Sequence, residues 1–201
     1  MKRILWVALL ALALPMAAFA TSSVDFTNSG GTLTGSSGGM SLTGSELIAV
    51  NGLGGLGLVT GDLGSLSFTT GAMTSGSLTM GGTFDGGGTF VITGNGTSGI
   101  PNGTVFSGSF TGPVTWTLIT LQNGTHNYTL SGSLSGTWYT GGTVFGATVQ
   151  LTINTGKGFF NGTTKISSGD TNLVVPEPGS LTLLGTGLVG LAGILRRKLK
   201  A

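Results

Sequence analysis

The stretch Phe145-Gly-Ala-Thr-Val-Gln-Leu-Thr-Ile153 decides the fold class that we predict for this chain. Apolar residues occupy its odd positions, and small or polar residues occupy Gly146, Thr148, Gln150 and Thr152. Because successive side chains of a strand point to opposite faces of a sheet, this period of two predicts a half-buried antiparallel strand. Residues 114–118 and 128–134 alternate in the same way, and residues 66–68 and 105–110 do so more weakly. Residues 90–92 are a short continuous apolar run, which suits a more buried strand.

Turn residues separate these runs. Asn-Gly pairs begin at positions 51, 95, 102, 123 and 161. Asn-Gly readily supplies the two positive φ angles of a two-residue hairpin turn. Asn123-Gly124 lies between two well-patterned runs, so we predict a hairpin there.

The whole pattern predicts a mainly β domain without helical periodicity in its body. We expect an antiparallel β-sandwich or open barrel from about Val24 to Ile166. Gly-Ser-Leu-Thr recurs in variants at irregular spacing, which leaves a stacked β-helix or solenoid as the alternative. Residues 21–64 are rich in Gly and weakly patterned, so we expect them to be looser. We expect residues 171–175 to be a linker.

The body of the chain is nearly uncharged. Residues 21–175 contain 35 Gly and 49 Ser or Thr but only seven charged residues, two of them basic and five acidic. The basic residues that give the whole chain its net charge of +2 lie mostly near the two ends, so a basic patch for nucleic acid is not indicated. The chain has no cysteine, so an exported body must fold without disulfides.

The N-terminal residues have the features of a secretory signal peptide. Lys2 and Arg3 precede an apolar run over residues 4–14, and Pro15 interrupts it. Ala18 and Ala20 then supply the small residues that a signal peptidase reads. We therefore predict a signal peptide over residues 1–20, cleaved before Thr21.

The C-terminal residues have the features of a membrane anchor with a short motif before it. Pro176-Glu177-Pro178 opens this segment, and residues 178–195 are 18 residues without a charge. A helix of that length spans about 27 Å, close to the thickness of a hydrocarbon core. The basic residues that follow favour the cytoplasmic side, which places the body outside. They are Arg196, Arg197, Lys198 and Lys200.

This order of motif, apolar segment and basic stop resembles the PEP-CTERM sorting signal of bacterial surface proteins. The resemblance is confined to the tail. It implies recognition of Pro176, Glu177, Pro178 and the basic residues by an exosortase-like membrane protease, and transient tethering to the inner membrane before delivery to the cell surface. Proteins with this signal are often linked with exopolysaccharide, which is therefore an expected partner. The expected domains are residues 1–20, 21–172 and 173–201.

The body offers little for catalysis, metal or cofactor binding. His126 is the only histidine and lies in a predicted turn, and the five acids of the body are scattered along the sequence. We therefore expect no catalytic residues, no metal site and no cofactor. A pairing of Asp85 or Asp170 with another acid in a cleft would favour a hydrolase instead.

The aromatic residues suggest a second function class. Trp116 is in phase with its apolar neighbours and is expected in the core, whereas Trp138 and Tyr139 are adjacent, so one of them faces outward from a strand. That ring could stack on a sugar. We predict an exported, non-enzymatic structural or matrix protein, with a carbohydrate-binding module or adhesin as the alternative and a secreted hydrolase as the third possibility.

Overall fold

The computed structural model describes residues 22–175, which fold as one compact unit from Ser23 to Val175. No helix within these residues has the length and apolar composition that crossing a membrane requires. The expected signal helix over residues 1–20 and the expected membrane helix over residues 178–195 lie outside the described part. The strands are β1 (Ser22–Ser29), β2 (Thr32–Ser36), β3 (Gly39–Asn51), β4 (Val59–Thr69), β5 (Met73–Ser77), β6 (Gly81–Phe84), β7 (Gly87–Asn95), β8 (Asn102–Phe110), β9 (Val114–Thr120), β10 (His126–Trp138), β11 (Thr143–Asn154), β12 (Thr163–Lys165) and β13 (Ser168–Val175).

Eight of these strands form a closed ring. The order is β1-β3-β4-β7-β8-β10-β11-β13, and β13 is hydrogen-bonded back to β1. Each pair from β1 round to β13 is antiparallel, so β13 also runs antiparallel to β1. The mainly β, antiparallel prediction is confirmed. The expected open barrel is closed by the pairing of β10 with β11, and the β-helix alternative is wrong because the strands do not stack as parallel coils.

The other strands extend one end of the ring. The N-terminal half of β10 pairs with β9, and its C-terminal half pairs with β8. β9 continues outward through β6 to β5, while β2 pairs with both β3 and β12. This end of the fold therefore has a second layer of short hairpins.

The opposite end of the ring carries both chain ends of the described domain. Because strand direction alternates, β1 begins and β13 ends on this side. Three connections also lie here: residues 52–58 between β3 and β4, residues 96–101 between β7 and β8, and residues 139–142 between β10 and β11. We call Ser22, Val175 and these three connections the terminal rim.

Aromatic side chains fill the interior of the ring. Phe90 lies between Phe68, Phe106 and Phe110, with ring centroids 5.9 to 6.2 Å apart. Trp116 is buried and stacks on Tyr128 at 4.8 Å under the hairpin layer, which confirms its predicted place in the core. Edge-to-face and offset packing of this kind adds to the hydrophobic contribution of each ring.

Phe145 is an exception to the alternation predicted for residues 145–153. Ala147 pairs with Leu134, but Val144 pairs with Gly136, so the register shifts between them. Gly146 adopts φ +70° at this irregularity. The bulge reverses the phase, so Val144 is buried and Phe145 is 73% exposed. The prediction of Phe145 as an inward residue is therefore wrong, whereas the inward phase from Ala147 to Ile153 is confirmed.

The hairpin at Asn123-Gly124 is confirmed, but its turn differs from the prediction. β9 and β10 pair from Thr120 with His126, which leaves a five-residue connection. Gly124 has φ +79°, while Asn123 has no positive φ. Instead, the Asn123 side-chain oxygen accepts a hydrogen bond from the Thr125 backbone N–H at 3.0 Å. The asparagine therefore stabilises the loop as an Asx turn.

Two segments are more ordered than the sequence predicts. Residues 21–64, expected to be looser, supply β1, β2, β3 and the start of β4. The expected linker at residues 171–175 is the second half of β13, in which Leu173 and Val175 are buried. β13 thus continues three residues beyond the expected domain boundary at residue 172. Residues 171–175 were not predicted as a strand because a short Val-Val pair and one Asn give too little alternation to identify one.

Candidate functional site

A polar groove lies on the outer face of the ring, across β1, β13, β11, β10 and β9. Its volume is about 460 Å³. The register of the strands places its side chains in two rows across the sheet. One row is Ser133, Thr148 and Asn172, and the other is Thr115, Ser131, Gln150 and Asp170.

These rows form because each contributing strand alternates between a buried and an exposed face. In β11, Ala147, Val149 and Leu151 point inward, so Thr148 and Gln150 point outward. In β13, Thr171 and Leu173 point inward, so Asp170 and Asn172 point outward. The same pleat that builds the core therefore aligns hydroxyl, amide and carboxylate groups on the opposite face.

Two carboxylates lie at one side of the groove. Asp25 of β1 and Asp170 of β13 both line it. The Thr27 hydroxyl donates a hydrogen bond to Asp170 Oδ1 at 3.0 Å. Burial, and then the negative charge of Asp170, raise the pKa of Asp25 above its ordinary value. The two acids therefore differ in environment, since Asp170 accepts a hydrogen bond from a hydroxyl group and Asp25 is partly buried beside a negative charge.

The placement of Asp25 and Asp170 in one groove was not expected for a body without catalytic residues. The sequence did not reveal it, because Asp25 and Asp170 are far apart along the chain and come together only when β13 pairs with β1. An acid beside Asp170 in a groove is the condition stated above for a hydrolase. Two carboxylates in one groove can act as acid and base on a glycosidic bond. They can equally accept hydrogen bonds from a neutral ligand that is rich in hydroxyl groups.

The structure separates the two adjacent aromatic candidates. Trp138 is only 6% exposed and contacts Phe26 edge to face, with ring centroids 6.2 Å apart. Tyr139 is 43% exposed on the terminal rim. Of the two, Tyr139 is therefore the ring available for stacking on a ligand. It does not line the polar groove.

In the described structure the His126 ring contacts a hydroxyl group and an aromatic ring. Its Nδ1 is 3.0 Å from the Thr120 hydroxyl, and its ring stacks on Phe159 at 4.2 Å. His126 begins β10 and is half-buried, so it is a strand residue at the hairpin and not an exposed turn residue as predicted. Within residues 22–175 no group of three His, Cys, Asp or Glu side chains is placed to hold a metal ion.

The residues predicted for processing lie outside the described part of the chain. These are Ala18 and Ala20 at the expected signal-peptidase site, and Pro176, Glu177, Pro178, Arg196, Arg197 and Lys198 at the expected sorting signal. The expected sorting signal begins directly after the last strand of the described domain. Val175 is buried at the end of β13, and the next residue in the sequence is Pro176.

Comparison with known protein families decides what this C-terminal segment is. Residues 174–198 match the model of the PEP-CTERM protein-sorting motif. The chain thus carries a PEP-CTERM motif at its C-terminal end, which confirms the resemblance drawn from the sequence. The motif suggests an exported protein that an exosortase processes at the membrane, on a route to the cell surface.

The matched segment and the folded domain overlap. Val174 and Val175 belong both to the PEP-CTERM match and to β13. No curated protein and no solved structure matches the chain. The barrel itself must therefore be interpreted from its own geometry.

Proposed function

We propose that this chain is an exported, exosortase-sorted surface protein whose barrel has a non-enzymatic, structural role in the extracellular matrix. The observation that carries the proposal is the PEP-CTERM motif, whose match begins within the last two residues of the last barrel strand. In this account a signal peptidase removes residues 1–20, and the tail holds the precursor in the inner membrane. The exosortase then releases the barrel to the surface.

The architecture supports a structural role outside the cell. An exported chain without cysteine cannot use disulfides, and a closed ring satisfies the hydrogen bonds that open sheet edges would expose. The outer face is built mainly from Ser, Thr and Gly, with few charges. Such a surface offers many hydroxyl groups to a hydrated polysaccharide and little electrostatic repulsion.

The sorting step is tested by changing the glutamate of the motif. In a host with an exosortase, Glu177→Ala should leave full-length protein in the inner-membrane fraction, while wild type appears at the surface in a shorter form. Glu46→Ala is the matched control, because Glu46 is the other glutamate of the chain and is exposed on β3. Normal trimming of the Glu177 variant would remove this glutamate from the recognition signal.

The structural role is tested by complementation of a strain that lacks the protein. A variant with both Asp25→Asn and Asp170→Asn should restore matrix cohesion as well as wild type does, because the proposed role depends on the folded barrel and not on the groove. Cohesion can be measured by rheology of the intact biofilm at equal surface levels of protein. Loss of cohesion in the groove variant would contradict a purely structural role.

The polar groove favours a second candidate function, which is recognition of polysaccharide. Sugar hydroxyl groups donate to carboxylates and exchange hydrogen bonds with the Ser, Thr, Asn and Gln side chains of the two rows. A groove of about 460 Å³ falls in the usual size range of ligand sites. Tyr139 does not line the groove, so stacking of a sugar on its ring would be a second contact, separate from binding in the groove.

This candidate is tested by calorimetric titration of exopolysaccharide fragments into the purified protein. Binding should weaken at least tenfold in the Asp25→Asn and Asp170→Asn double variant and remain unchanged in Asp85→Asn, which alters an exposed acid outside the groove. Equal binding by all three proteins would contradict recognition through the groove. Release of new reducing ends by wild type alone would indicate hydrolysis and contradict the non-enzymatic proposal.

A further inference from the structure

The terminal rim exposes apolar side chains although it belongs to a protein with a mostly polar surface. Nine large apolar side chains are exposed in the described residues. Five of them lie at or beside the terminal rim, where β1 begins and β13 ends. They are Leu56, Leu58, Tyr139, Phe145 and Val174. The other four, Met80, Ile119, Leu121 and Phe159, lie toward the opposite end, so exposed apolar side chains alone do not distinguish the two ends.

These residues come from neighbouring parts of the rim. Leu56 and Leu58 belong to the connection between β3 and β4, and Leu56 lies against Gly99 of the connection between β7 and β8. Phe145 stands outward at the bulge of β11, and β11 pairs with β13, which carries Val174. Four separate chain segments thus place apolar groups around one end of the ring.

The terminal rim also differs from the opposite end in charge. Its three connections, residues 52–58, 96–101 and 139–142, contain no Asp, Glu, Lys or Arg. The connections at the opposite end contain Asp85 and Lys157. The exposed acid Asp62 of β4 nevertheless lies beside the rim, because its backbone carbonyl accepts a hydrogen bond from the Thr97 hydroxyl at 3.1 Å. Contact of the rim connections with a less polar environment therefore avoids the loss of a charge's hydration only where the Asp62 carboxylate stays in water.

The positions of the chain ends identify what this rim meets. Only Pro176, Glu177 and Pro178 separate Val175 from the apolar residues 179–195. The four steps from Val175 to residue 179 extend at most about 14 Å, so a tail anchored in a bilayer would hold Val175 within that distance of the lipid.

We propose that the terminal rim is a lipid-contacting surface, which rests in the membrane interface while the precursor is tethered. This inference rests on the proposed tethering by the PEP-CTERM tail. Leu58 and Phe145 are the most exposed of its apolar side chains, and Tyr139 adds an amphipathic ring of the kind favoured at a membrane interface. The completed barrel therefore stands with this end on the bilayer, and the sorting motif is presented at the interface.

The absence of cysteine makes a direct test simple. The full chain is reconstituted in phosphatidylcholine–phosphatidylglycerol vesicles with one environment-sensitive fluorophore, attached at Leu58→Cys, Phe145→Cys or Met80→Cys. These side chains are 69%, 73% and 68% exposed, and Met80 lies at the opposite end of the barrel. Exposure is thus matched, and only the end of the barrel differs.

Nitroxide groups on shallow acyl-chain carbons should quench the labels at positions 58 and 145 at least twofold more than the label at position 80. Aqueous iodide should give the reverse order. Equal lipid quenching at both ends would overturn the proposal, as would quenching of the rim labels by iodide alone. A label at Tyr139→Cys repeats the comparison if one rim variant does not fold.

Vesicle flotation in the same samples separates the two proposals. Protein that floats with the vesicles but shows no end-dependent quenching overturns the lipid-contacting rim and leaves the tether intact. Protein that does not float overturns the tether, and the rim proposal fails with it.

Discussion

At the scale of single residues, the sequence pattern predicted some side-chain positions and missed others. Alternation in the sequence correctly predicted Trp116 as a core residue, because it is in phase with Val114. It failed for Phe145, because a bulge at Gly146 depends on how β10 and β11 shift against each other. It could not find Asp25 beside Asp170, since that pairing requires the ring to close.

Asp25 gives a prediction about pH at this scale. Its pKa is raised in the folded state, so the folded state binds the proton more tightly than the unfolded state does. The contribution of Asp25 to the unfolding free energy therefore falls as pH rises from about 3.9 through the raised value. Asp25→Asn should be at least as stable as wild type at pH 7, with the difference lost near pH 3. Urea midpoints at both values check this, and a less stable variant at pH 7 would contradict it.

Gly64 gives a second prediction about single residues. It has φ +142°, and a Cβ there would be forced against the backbone carbonyl oxygen of Thr93 on β7. Gly61 on the same strand has φ +132° but open space around it. Gly64→Ala should therefore lower the unfolding free energy by about 3 kcal/mol, and Gly61→Ala by about 1 kcal/mol. Similar losses in urea denaturation would show that close strand approach is not the limiting constraint.

At the scale of elements, the β9–β10 hairpin supports the layer of short hairpins at its end of the ring. The Tyr128 hydroxyl donates to the Thr79 carbonyl at 2.7 Å and accepts from the Phe160 N–H at 3.1 Å. The Trp116 indole N–H donates to the Leu78 carbonyl at 2.8 Å. The sequence predicted both strands, but these bonds to distant loops follow from the tertiary fold and have no local signal.

Tyr128→Phe tests this connection. Removing the hydroxyl leaves a buried N–H and a carbonyl without that partner, so the unfolding free energy should fall by about 2 kcal/mol. Tyr139→Phe is the matched control, because Tyr139 is the other tyrosine and is exposed. It should change stability by less than about 0.5 kcal/mol. Denaturation monitored by tryptophan fluorescence measures both, and equal effects would contradict a connecting role for Tyr128.

At the scale of the whole molecule, closure of the ring is the feature that local sequence patterns could not predict. Strand runs and turn residues predicted an antiparallel β domain. Closure depends on β13, which joins β11 to β1 across nearly the whole chain. Its last residues read as a linker because the sorting motif begins immediately after them.

Truncation tests the importance of closure. A mature chain that ends at Val175 should fold, because it retains all strands of the ring. A chain that ends at Ile166 lacks β13, exposes the edges of β1 and β11, and should lose the cooperative thermal transition. Circular dichroism during heating makes the comparison. Equal cooperativity of the two chains would show that the ring does not need its last strand.

Processing at both chain ends would leave an exported barrel at the cell surface. The most direct test is the intact mass of the protein isolated from the surface of a host with an exosortase. We expect a chain that begins at Thr21 and ends close to Pro176-Glu177-Pro178, without the apolar residues 179–195 and the basic stop. A surface form that retains the C-terminal residues through Ala201 would contradict processing at the PEP-CTERM motif and, with it, the proposed sorting of this barrel.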